Sequence, residues 1–193
     1  MYENKCMSKT TLQFESHQEL DSWLKQLPEY DEWGVGKAKS SRDLWAELQA
    51  GETQLTPDGI RRVRVVTGWI RRSAGDEQIL LELSQELSDG RKRSRKRPMG
   101  EKIQGQESPL HTLYRGLREE LRLEAESVQL LKDEPQYHVE ERNSNSYPGL
   151  TSIYDLYRYD VLCKDLPEED FTIVEPCGSR SATWGWRERP AVS

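Results

Sequence analysis

The segment from Ser108 to Leu123 constrains this chain more than any other. Serine suits a helix N-cap and proline the first helical position, so Ser108-Pro109 marks a helix start. Leu110, Leu113, Tyr114, Leu117 and Leu121 then recur at the spacing that lines up one face of a helix running to about Leu123. Such a stripe must be covered by another element, and the flanking sequence offers strands. Val63, Val65, Thr67 and Trp69 alternate along one stretch, and Ile79-Leu80-Leu81 opens another. Tyr137–Glu141, Leu150–Cys163 and Phe171–Glu175 read the same way, with a turn at 146–149. A helix among strands predicts an α/β chain in which a mixed sheet packs against that helix.

Asp89-Gly90 is a hairpin-turn signal that leads into the basic run Arg91 to Arg97. If this run returns antiparallel, Glu82 and Glu86 stand ready to pair with it across the strands. The alternatives for the run are phosphates, RNA or a nuclear import receptor. No aromatic residues interleave with it for base stacking, so sequence-specific RNA reading is not expected. The whole chain carries 28 basic against 34 acidic residues, a net −6, so attraction to nucleic acid or an anionic membrane must be local. Phosphate steering by residues such as Arg95 and Arg97 is the functional reading.

Upstream, Ser16 with Glu19 forms a capping-box pattern, and Leu20, Trp23, Leu24 and Leu27 follow at helical spacing before Pro28. Residues 29–39 read as a loop. Ser41 can cap a second helix with Leu44, Trp45 and Leu48, closed by Gly51. The turn Thr56-Pro57-Asp58-Gly59 then divides an N-terminal helical extension, 1–58, from a main domain, 59–193. Tryptophans on the extension suit either a docking surface for a protein partner or completion of a core. Cys6, Cys163 and Cys177 include no close pair, no apolar run reaches membrane-span length, and no signal peptide opens the chain. A cytoplasmic protein is expected, without a membrane partner. His17, His111 and His138 lack zinc-ligand spacing.

Glu119 and Glu120 share the helix face away from the leucines, with position 116 between them in angle. Arg115 stands one turn before Glu119, at pairing distance. Adjacent carboxylates on a helix are commonly a solvated face, and they also suit a hard divalent cation. Residues 107–123 resemble the box of the Nudix hydrolases in register. Glu107 matches the first glutamate, Arg115 the arginine, and Leu117, Glu119, Glu120 and Leu123 their positions, while Pro98-Met99-Gly100 looks like the segment before the box. The resemblance implies a Nudix-like fold over about residues 60–190 and a Mg²⁺- or Mn²⁺-dependent hydrolase of a nucleoside diphosphate linked to another moiety. It further implies metal ligation by Glu119, Glu120 and the Gly100 carbonyl, with Glu107 and Arg115 ordering the site.

Three positions depart from that pattern. Gly116 stands where the family has a glutamate, Arg122 replaces a glycine, and six residues rather than five separate Gly100 from Glu107. A glycine inside a helix costs ~1 kcal/mol relative to alanine, so Gly116 serves either close packing or room for a bulky group. With it, two functions stay open: the hydrolase, and a non-catalytic Nudix-like module that binds a nucleotide or a protein partner. The water-activating base is equally open, with Glu124, Glu126, Glu140 and Glu141 all available.

Overall fold

A computed structural model describes residues 11–144, 146–174 and 180–189, so Cys6 and Cys177 lie outside the described residues. The chain divides into two compact units: residues up to Arg64 together with Val139–Asp155, and Val65–His138 together with the chain from Leu156 onward.

In the first unit, α1 (His17–Leu24) starts at Ser16, whose hydroxyl accepts from the Glu19 amide. The reciprocal Glu19 carboxylate takes the amide of Glu15 rather than that of Ser16. α2 (Ser41–Gln49) is capped one residue earlier than expected: Ser40, not Ser41, is the N-cap, and Asp43 closes a full capping box with it. Serine stands at both positions, and the side chain three residues on decides which one caps. Leu20, Leu24, Leu44, Leu55, Tyr147 and Leu150 form the core of this unit, with Trp23, Trp33 and Trp45 half-buried against it. The tryptophans of the extension are thus packing residues here. β1 (Thr53–Leu55) pairs antiparallel with the start of β2 (Ile60–Arg71) through the Thr56–Gly59 turn.

The second unit holds the central helix, α3 (Pro109–Leu121), capped by the Ser108 hydroxyl on the His111 amide. Leu113, Leu117 and Leu121 are buried, as their spacing predicts. They join a core with Val66, Ile70, Met99, Ile103, Tyr159, Val161 and Trp184. β3 (Gln78–Leu87) and β4 (Lys92–Arg97) form the expected hairpin, with Glu86 opposite Lys92 and Glu82 opposite Arg97. β5 (Met99–Lys102) runs antiparallel to β2, placing Gly100 across from Thr67. After the short β6 (Gln129–Leu130) come β7 (Gln136–Asn143), β8 (Thr151–Leu162), β9 (Phe171–Val174) and β10 (Arg180–Glu188). The strands belong to two sheets, one of them ordered β4-β3-β10-β9, and the architecture is the expected α/β one.

Sequence patterning missed β5 and β10. Met-Gly-Glu-Lys is too short to show alternation, so β5 reads as loop. β10 carries Trp184-Gly185-Trp186, whose two indoles are both buried. A bulge between Thr183 and Trp184 breaks the period there.

Candidate functional site

Arg115 organises the face of α3 that looks toward β5 and the preceding loop. Its Nε donates to Glu107 Oε1 at 3.1 Å, and its Nη2 donates to Glu107 Oε2 at 3.0 Å and to the Lys102 carbonyl at 2.8 Å. This two-pronged pairing fixes the guanidinium. Glu107 also accepts from the Gln104 amide and the Thr112 hydroxyl. Burial alone would raise its pKa, but these donors outweigh it and hold the carboxyl below its ordinary value. Nη1 of Arg115 has looser partners, Glu101 Oε1 and Glu119 Oε2, both at 3.4 Å.

One turn on, the two consecutive glutamates separate. Glu119 is solvent-exposed, with 54% of its side chain accessible, and the Arg115 contact is its ion pair. Glu120 is half-buried. Loss of solvent, followed by the negative charges of Glu101 and Glu82, pushes its pKa up to about 7, against weaker opposition from Arg180 and Arg97. Both glutamates line an open groove together with Glu82, Ile173, Arg180 and Trp184, enclosing ≈ 260 Å³ of space that includes open solvent. Glu82 is buried and accepts from Arg95 Nε at 3.3 Å and Arg97 Nε at 3.1 Å. The basic run is thus neutralised on its inward side by acid, the cross-strand pairing its sequence allows.

Gly116 is buried in α3. A Cβ there would stand 3.0 Å from Met99 Sδ and 3.2 Å from Glu101 Cβ. The glycine lets the helix lie directly on β5, and the expectation that position 116 shares an open face with Glu119 and Glu120 is corrected accordingly. Equal spacing on a helical wheel carries no information about which neighbour occupies the space. The Arg122 departure also has a structural account. Arg122 caps α3 in the left-handed region at φ 59°, where glycine is the unstrained choice, and its Nη2 donates to the Val174 carbonyl at 3.2 Å. At Gly100 a Cβ would meet nothing closer than Thr67 Cγ2 at 3.7 Å, so crowding does not explain that glycine.

Among the described residues, no three His, Cys, Asp or Glu side chains are grouped to hold a metal ion. Glu101 and Glu119 both lean on Arg115, and Glu82 is held by Arg95 and Arg97. The remaining donor chemistry still suits a hard cation. Mg²⁺ is commonly held by one or two carboxylates and completed by substrate phosphates and water. Glu119 and Glu120 provide two on one groove, and the like charges around Glu120 are what a divalent cation would neutralise. The residues therefore fit a substrate-completed site rather than an all-protein cage.

Sequence reasoning picked out Glu107, Arg115, Glu119 and Glu120, which the structure brings together on and just before α3. It passed over Glu101, Arg180 and Trp184. Trp184 is buried with its indole N–H lacking an acceptor. The signal for Glu101 was its place beside Gly100, at the start of the box.

No family model matches this chain, and no curated protein matches it significantly. Among solved structures, it is similar to the crystal structure of a C. elegans Ap4A hydrolase at 16% identity and a TM-score of 0.34, covering 65% of this chain and 79% of that one. At that level the likeness decides neither family nor chemistry, and both rest on this chain's own residues.

Proposed function

We propose that the groove beside Glu120 is the site of a Nudix-like, metal-assisted phosphohydrolase whose substrate is a nucleoside diphosphate linked to another moiety. One observation carries this reading: Glu119 and Glu120 line a single groove, and Glu120 is held there half-buried among like charges. A helix that served only as a solvated face would leave both carboxylates in water. Glu119 and Glu120 would hold Mg²⁺ or Mn²⁺, with the Gly100 carbonyl as a further ligand by resemblance to the family. The ion supplies charge neutralisation and Lewis acidity at the diphosphate. Glu107 fixes Arg115, and Arg115 fixes the helix against the loop before it, so both carboxylates keep their direction. Arg95 and Arg97 stand at the Glu82 side of the groove, where their charge would draw the substrate's phosphates in.

A second reading, the non-catalytic module that binds a nucleotide or a protein partner, is favoured by Gly116. The close contact with Met99 and Glu101 leaves α3 no third carboxylate of its own. Incubating the purified chain with Mg²⁺ or Mn²⁺ and a panel of nucleoside-diphosphate-linked compounds separates the two. Phosphate-ester products that vanish with chelator support the hydrolase. Saturable nucleotide binding without products supports the module. Two carboxylates should hold Mn²⁺ more tightly than Mg²⁺.

A further inference from the structure

The close approach at Gly116 has a second party. A Cβ built on Gly116 would stand 3.2 Å from the Cβ of Glu101, so the strand residue begins where a carboxylate-bearing side chain at 116 would begin. β5 and α3 pack directly on each other. Glu101 lies opposite Val66 on β2, in a register that fixes its backbone. Its side chain is largely buried, at 22% accessible, and reaches Arg115 Nη1 at 3.4 Å, the atom that Glu119 also contacts. It is close enough to Glu119 and Glu120 to interact electrostatically with both.

We infer that Glu101, supplied from β5, is the third acidic group of the proposed cation site and replaces the carboxylate that α3 lacks at Gly116. Gly116 and Glu101 then form one unit: the glycine makes the space and the glutamate fills it. Without a cation, Glu101 and Glu119 rest on the loosely held Nη1 of Arg115. The remaining guanidinium nitrogens stay bound to Glu107 and the Lys102 carbonyl, so both acids can turn toward the groove without releasing the arginine. This inference rests on the proposed function and names one further residue of the same site.

The test relocates the charge. Mn²⁺ is titrated calorimetrically into the full chain and into Glu101→Gln, Glu101→Asp and the double variant Glu101→Gly with Gly116→Glu. Melting temperatures and nucleotide turnover are followed alongside. Glu101→Gln should keep its fold and bind Mn²⁺ roughly 10-fold or more weakly, the size of effect expected at a metal site's supporting residues. Glu101→Asp should fall between it and the parent. The double variant removes the Glu101 Cβ and leaves only the flexible Met99 to move aside, so it should regain most of the lost affinity. Mn²⁺ affinity in Glu101→Gln within twofold of the parent overturns the inference. So does a folded double variant that stays as weak as Glu101→Gln. If the double variant does not fold, Glu101→Asp binding no better than Glu101→Gln overturns it instead. A parent that neither binds Mn²⁺ nor turns over substrate removes the proposed site itself. A parent that does both, with Glu101→Gln unchanged, removes the role of Glu101 alone.

Discussion

Two glutamates, one on each of two helices, show how burial of the same side chain can have opposite meanings. Glu47 of α2 is 6% exposed, and cations meet both of its oxygens: Arg61 Nη2 at 2.6 Å and Lys39 Nζ at 2.7 Å. Arg61 in turn stacks over the Tyr147 ring, 4.8 Å from its centroid, and Nη1 reaches Ser152 at 3.5 Å. Glu120 of α3 is half-buried too, yet its strongest charged neighbours are Glu101 and Glu82, and its proton affinity rises to about 7. A buried charge with its partner belongs to the fold. One placed among like charges costs stability, and clusters of that kind mark functional sites often enough to support a hypothesis.

The largest effect that could break this contrast lies in the first unit. Arg61→Ala leaves Glu47 buried without its closest cation, so urea unfolding should show a loss of about 3–5 kcal/mol. A loss under about 1 kcal/mol would mean that the pair is incidental and the contrast void. In the second unit, Gly116→Glu drives a side chain into Met99 and Glu101. Overpacking of about 1–3 kcal/mol should outweigh the ~1 kcal/mol gained in helix propensity. A net gain in melting temperature would show that β5 yields easily.

Glu120→Gln sharpens the contrast through pH. The folded-state pKa of Glu120, about 7, lies above the ordinary glutamate value of 4.5. Between those two values the folded chain binds more protons than the unfolded one. Its contribution to stability is therefore fully present below 4.5 and falls as pH rises through 7. The Gln variant should gain on the order of 1–3 kcal/mol at alkaline pH and nothing at pH near 4. Equal stability of variant and parent across that window would place Glu120 in an ordinary solvated setting. The smallest effect is expected at the C-terminus of α3, where Arg122→Gly relieves a left-handed arginine. It should stabilise by about 0.5–1 kcal/mol, less whatever the bond to the Val174 carbonyl contributes. No gain in thermal melts would mean that this bond offsets the backbone strain.

The strongest local signals in the sequence correspond to the firmest parts of the structure. Ser108-Pro109, the leucine stripe and Asp89-Gly90 each state a local preference that the tertiary fold agrees with. So do Arg115 and Glu107, because their spacing puts them at opposite ends of one helix turn and its cap. The partner of Gly116 was not legible, since Glu101 lies on a four-residue strand too short to show a period, and its nearness to the helix is a product of packing. Nor could the difference between Glu119 and Glu120 be read. Adjacent residues on a helix point about 100° apart, and which one meets the groove depends on strands β3 and β10, far away in sequence. The same holds for the tryptophans of the first unit, whose number suggested a docking face and whose positions pack a core.

The central claim is that Glu120 and its groove carry function, and single-turnover assay of parent and Glu120→Gln chains with Mn²⁺ and a responsive nucleoside-diphosphate substrate tests it most directly. The account predicts product from the parent, abolished by chelator. It further predicts at least about a 100-fold loss in Glu120→Gln, at the upper end of the 10–100-fold expected even for a metal site's supporting residues, with the melting temperature at neutral pH unchanged or higher. Equal turnover in the two chains, or no turnover in either, would contradict it.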